Sequence, residues 1–107
     1  MSHNTPTIST AFQTFWNEAP AHAQAWAEMV NGLDSASALD KKTQALAYLA
    51  VLAALGRGSG VPFHVQAARE AGATREEVIS TILVGLPAAG HGVIQALPIA
   101  IEAYDAG

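Results

Sequence analysis

The stretch "RGSGVPFH", Arg57 to His64, sets a permanent cation, two glycines, a serine and an imidazole between one apolar, alanine-rich helix and the next. A glycine-rich turn that enters a helix presents N–H groups at the positive end of the helix dipole, and that geometry binds anions. Arg57 adds a guanidinium able to grip a carboxylate through two parallel hydrogen bonds. His64 falls in the first or second turn of the following helix, where the dipole favours its neutral form. A neutral imidazole beside a bound carboxylate can accept or donate a proton. The same residues also read as a helix stop, a surface arginine and a histidine packed on a neighbour, and their spacing alone leaves both readings open.

Proton transfer next to a bound carboxylate needs the anion held, developing negative charge stabilised and the proton carried. Arg57 and the turn N–H groups suit the first two tasks, and His64 the third. Ser59, Tyr48 and His91 are the further candidate ligand-binding residues. His91 stands between glycines in "AAGHG", where a ligand or another backbone can come close, and it is also read as filling a polar gap in a helix interface. Tyr48 is read either as a pocket residue or as a core tyrosine with its hydroxyl satisfied. The four histidines, His3, His22, His64 and His91, show no HxxxH or HExxH spacing. Neither a metal nor an organic cofactor is expected.

Composition narrows the chemistry. The chain holds no cysteine, which excludes disulfides, thiol catalysis and Cys-ligated metals within it. A net charge of −4 with only five basic residues argues against a nucleic-acid partner. Half of the 107 residues are hydrophobic and 13% are charged, against about 25% charged in an average soluble domain. A monomer of this composition would expose much apolar surface, so self-association is expected. "MSHNTPTIST" has neither a basic n-region nor an apolar h-region, and the cytoplasm is the expected location. Val78 to Ile101 is long enough to cross a bilayer. Pro87, Pro98, His91, Gln95 and several glycines instead mark it as two buried helices with a break, so no membrane partner is expected.

The elements that must carry these residues all read as helices, with no strand-like alternation. Phe12, Phe15 and Trp16 share one helix face. A second helix starts at Pro20 and carries Trp26, Met29 and Val30, with Asn31–Gly32 as punctuation. The four aromatics are read as core or as a pocket wall. "DSASALD", Asp34 to Asp40, is a polar linker whose last residue caps "KKTQALAYLAVLAALG". That third helix is short of polar residues after Gln44, so it is expected to be buried on most sides, and Gly56 stops it. The fourth runs from about Gly60 to Ala71. "TREE" is a capping box, with Thr74 and Glu77 as its two members, for a fifth helix from Arg75 to near Leu86, where Pro87 breaks it. A sixth, kinked by Gly90, Gly92 and Pro98, runs from about Ala88 to Tyr104. The expectation is a single all-α domain over 1–107, with a helical N-terminal region at 1–35.

From Leu39 onward the chain resembles the carboxymuconolactone decarboxylase family, which shares its fold with the AhpD-like alkylhydroperoxidases. The resemblance rests on "LDKKTQALAYLAVLAALGR", on "HVQAAREAGATREEV" and on the small, apolar final helices with "AAGHG". It makes 39–107 the family core, of about six helices with the N-terminal region included. It implies assembly into a homotrimer or homohexamer through the C-terminal helices. The peroxidase branch carries CxxCxxxH and a glutamate on the preceding helix. Aligned on His64, the cysteine positions hold Arg57 and Gly60 and the glutamate position holds Ala45, so this chain is no thiol peroxidase. The decarboxylase branch aligns Arg57, His64 and Val65 without a gap, but "GSG" replaces its acidic stretch. The resemblance implies a cofactor-free decarboxylase or isomerase acting on a small carboxylated lactone or keto acid. The alternative is a non-catalytic helical oligomer that binds a small carboxylate or serves as a scaffold.

Overall fold

A computed structural model describes residues 8–107. The described chain is all-α: six α-helices of nine residues or more, one single-turn helix, two short 3-10 segments and no strand among the described residues. The N-terminal decapeptide read for targeting and His3 fall wholly or largely outside the described residues. No helix among the described residues is long and apolar enough to cross a membrane. The chain separates into two compact units that meet between Asp40 and Lys41.

The first unit holds α1 (Thr10–Glu18) and α2 (Pro20–Ala36). Ser9 caps α1 by accepting a hydrogen bond from the Phe12 N–H at 3.1 Å. The aromatics pack on one another: the Phe12 ring lies 5.1 Å from Trp26 at an edge-on 70°, with Phe15 6.4 Å from Trp26. Asn31–Gly32 does not end α2, which continues six residues past Val30, to Ala36, and shortens the expected linker to residues 37–40. A single helical glycine costs about 1 kcal/mol against alanine, too little to stop a helix on its own.

The second unit is built from α3 (Lys41–Leu55), α4 (Val61–Glu70), α5 (Arg75–Leu83), the single turn α6 (Leu86–Ala89) and α7 (Ala96–Ala106). Its core joins Leu49 and Leu52 of α3, Val61 and Val65 of α4, and Val78 and Ile82 of α5 to the small residues Ala96, Ala100 and Ala103 of α7. Burying each of the larger aliphatic side chains is worth about 1.5–3 kcal/mol. The alanines let backbones approach closely, and side chains then stitch helix to helix. Gln66 Nε2 donates to the Ala103 carbonyl at 2.7 Å, and Thr81 Oγ1 to the Leu46 carbonyl at 2.7 Å. The Tyr104 hydroxyl donates to the Ala73 carbonyl at 2.9 Å. The capping box forms as expected: the Glu77 N–H donates to Thr74 Oγ1 at 3.0 Å, and the Thr74 N–H to Glu77 Oε1 at 2.9 Å.

Two expectations for the C-terminal third change. The fifth helix ends at Leu83, three residues before Leu86, and Pro87 sits inside the first turn of α6 rather than breaking a helix. Proline lacks an N–H, which a first turn leaves unpaired anyway. The stretch from Ala88 to Tyr104 is not one kinked helix. Gly90, at φ +83°, splits it into the end of α6, a 3-10 segment from His91 to Gln95, and α7. Pro98 falls in the first turn of α7 and bends nothing.

Helix α3 is also less covered than its composition implies. Tyr48, Val51 and Leu55, spaced three and four residues apart, form one exposed stripe along it, while Leu49, Leu52 and Ala53 face the core.

Candidate functional site

The turn that carries Arg57 and Ser59 is held by backbone geometry. At the end of α3 the Gly56 N–H donates to the Ala53 carbonyl at 3.3 Å, and the Arg57 N–H to the Leu52 carbonyl at 2.9 Å. These two bonds make a Schellman motif, with Gly56 in the left-handed conformation at φ +71°. The motif fixes the Arg57 backbone as the first residue beyond the helix stop. A 3-10 turn, Gly58–Gly60, then leads directly into α4. Gly58 is there for space: a Cβ on it would stand 3.1 Å from Ile99 Cδ1 of α7. The turn is thus pressed against α7 on one side and anchored to α3 on the other.

The expected cradle of free N–H groups is mostly spent. The Arg57 N–H is used on Leu52, the Gly60 N–H donates to the Arg57 carbonyl at 3.1 Å, and the Val61 N–H donates to the Gly58 carbonyl. Pro62 has none to give. What the turn offers an anion is chiefly the Arg57 side chain. Its guanidinium is exposed and makes no ion pair or hydrogen bond among the described residues. Ser59 is exposed beside it.

His64 occupies the fourth position of α4 and is half-buried. Its imidazole lies 4.4 Å, centroid to centroid, from the Tyr48 ring of α3, tilted by 48°, and 5.1 Å from the Phe63 ring at an edge-on 84°. Burial holds the imidazole below its ordinary value, so it is neutral at neutral pH. Desolvation is the cause. Among the described residues no carboxylate pairs with His64 to stabilise an imidazolium, and Ala45 stands where the resemblance aligns the peroxidase branch's glutamate.

The structure therefore brings Tyr48 to His64 and sets Arg57 and Ser59 on the turn that feeds its helix. It does not join His91 to them. His91 is exposed at the start of its 3-10 segment, with no hydrogen bond, ion pair or ring contact to His64 among the described residues. Phe63 is the residue that sequence reasoning missed. It precedes His64 in a helix, and nothing in its spacing marks a side chain that stays half exposed against the imidazole. Two shallow hollows in this unit, around Thr81 and around Thr74, are lined by none of the five candidates. No group of three His, Cys, Asp or Glu side chains among the described residues could hold a metal ion.

A sequence model of the carboxymuconolactone decarboxylase family matches residues 20–102. No curated protein and no solved structure gives a significant match.

Proposed function

The chain belongs to the carboxymuconolactone decarboxylase family, and from that premise we propose that it is a cofactor-free enzyme of the decarboxylase or isomerase type, acting on a small carboxylated lactone or keto acid. The observation that carries this reading is the neutral, half-buried His64 imidazole on the helix fed by the Arg57 turn, with the guanidinium left free for an anion. Arg57 holds a substrate carboxylate, and Ser59 and Tyr48 border it. An exposed ion pair is worth only about 0–1 kcal/mol, so Arg57 orients the anion more than it binds it.

His64 moves the proton. In an isomerisation the neutral imidazole takes a proton from the carbon next to a carbonyl and returns it at the new position. In a decarboxylation the carbon–carbon bond breaks, carbon dioxide leaves, and the electron pair stays on carbon as an enolate. The imidazole, having taken a proton from water, then delivers it to that carbon. The lowered basicity of His64 favours the first of these at neutral pH, because the resting ring is already the base.

Self-association as a homotrimer or homohexamer through the C-terminal helices, in the cytoplasm, belongs to the same reading. Family membership and the exposed apolar side chains support the assembly. His91 enters the site only if a second copy supplies it. A second reading, a non-catalytic oligomer that binds a small carboxylate, is favoured by the lack of an acidic partner for His64.

The test is a panel of small mono- and dicarboxylates, lactones and keto acids, scored by thermal melting and by turnover. Ligand stabilisation lost in Arg57→Ala establishes the anion site. Turnover lost in His64→Gln establishes catalysis, and unchanged turnover in that variant removes His64 from the mechanism.

A further inference from the structure

The surroundings of His64 are aromatic and open, and that bears on what kind of carboxylate fits. Tyr48 and Phe63 flank the imidazole from two helices, and each is 47% exposed. Val51, one turn along α3 from Tyr48, is 51% exposed. No charged side chain pairs with the imidazole, and the Tyr48 hydroxyl has no hydrogen-bond partner among the described residues. A small, doubly charged acid would have to shed water against these rings with only Arg57 to compensate it, which is unfavourable. A flat apolar body gains by lying on ring faces that water now wets.

We infer that Phe63 and Tyr48 form an aromatic platform beside His64 that selects monocarboxylates with a flat, unsaturated body over small dicarboxylates and over saturated rings of equal size. This rests on the proposed carboxylate site and narrows its ligand class. Phe63 acts as a specificity-determining residue: it touches the ligand body and transfers no proton. The free Tyr48 hydroxyl offers a polar edge to a carbonyl or hydroxyl on the same ligand.

Benzoate, cyclohexanecarboxylate and succinate separate the possibilities, with binding read from the shifts of the His64 ring protons in NMR titrations of the full chain. Benzoate is expected to bind roughly three- to tenfold more tightly than either of the others, and to move the His64 signals through its ring current. Phe63→Leu keeps an apolar side chain on the half-exposed position and should erase the preference, as should Phe63→Ala. Equal affinities for the three acids, a preference that survives both variants, or no benzoate response at His64 would each overturn the inference. Arg57→Ala tests the underlying reading separately. Uniform weakening of all three acids supports the carboxylate site. Loss of the preference in Phe63→Leu with no effect of Arg57→Ala would support the platform and overturn the role given to Arg57.

Discussion

The Tyr48 ring and the His64 imidazole, carried by α3 and α4, meet at a centroid separation of 4.4 Å and a tilt of 48°. The contact removes water from one side of the imidazole and supplies no charge in return. A histidine in such a place is a weak base held in position by packing, and its titration should report the integrity of the site.

His64 is expected to titrate with a midpoint below 6.5, its unperturbed value. Because the folded midpoint is depressed, the unfolded chain binds more protons as pH falls through about 6.5, and this group's contribution to stability declines from there down to the folded midpoint. NMR titration of the ring protons measures the midpoint. Urea melts across that range should show a flatter pH dependence for His64→Gln than for the parent protein, and equal slopes would contradict the assignment.

The sign of a pH–rate profile through the His64 midpoint depends on which form of the ring is active. If turnover uses the neutral ring as a base, kcat/KM rises through the His64 midpoint and levels off above it. If turnover needs the imidazolium as an acid, the rate instead falls as pH rises through that midpoint. His64→Gln should lower turnover by about 10²–10⁴-fold in either case. A profile that is flat across the NMR midpoint would show that His64 is not the proton carrier.

The turn itself should be intolerant of added side chains, for two different reasons. Gly56→Ala places a Cβ on a residue at φ +71° and should cost about 1–2 kcal/mol. Gly58→Ala has no such conformational penalty but drives a methyl to 3.1 Å from Ile99 Cδ1. It should cost about 1 kcal/mol, at the low end for overpacking because the far end of a flexible side chain can yield. Ile99→Val should recover part of the loss in the Gly58→Ala background and none of it in the Gly56→Ala background. Chemical denaturation of the four variants decides the matter.

Neighbouring positions on α3 should respond unlike one another. Leu49 is fully buried, and Leu49→Ala should destabilise by about 2–5 kcal/mol. Leu55 is 64% exposed, and Leu55→Ala should change the stability of the isolated chain by less than about 0.5 kcal/mol. A larger loss at Leu55 that grows with protein concentration would show that a second copy covers the stripe.

Much of the helical layout is legible in the sequence alone. The stop at Gly56 and the Thr74–Glu77 capping box are local devices, decided within a few residues of chain, and each stands where the residue types place it. Asn31–Gly32 is no boundary and Pro87 is no break, for two different reasons. A weak helix breaker is overruled by its flanks, and a proline is a start signal as readily as a stop. Phe63 was not legible at all, because exposure depends on which neighbours arrive.

By itself the sequence determined that the chain is helical, that thiol chemistry is absent from it, and where an arginine, a glycine-rich turn and a histidine follow one another. Those are matters of residue type and short-range spacing. Only the tertiary structure decided that the turn spends most of its N–H groups on backbone carbonyls, that Gly58 is needed for the approach of α7, and that His64 rests on Tyr48 with Phe63 at its edge while His91 makes no hydrogen bond or ring contact with it. Burial, and with it the protonation state of an imidazole, is set by atoms that come together from distant parts of the chain, and residue spacing carries no record of those distances.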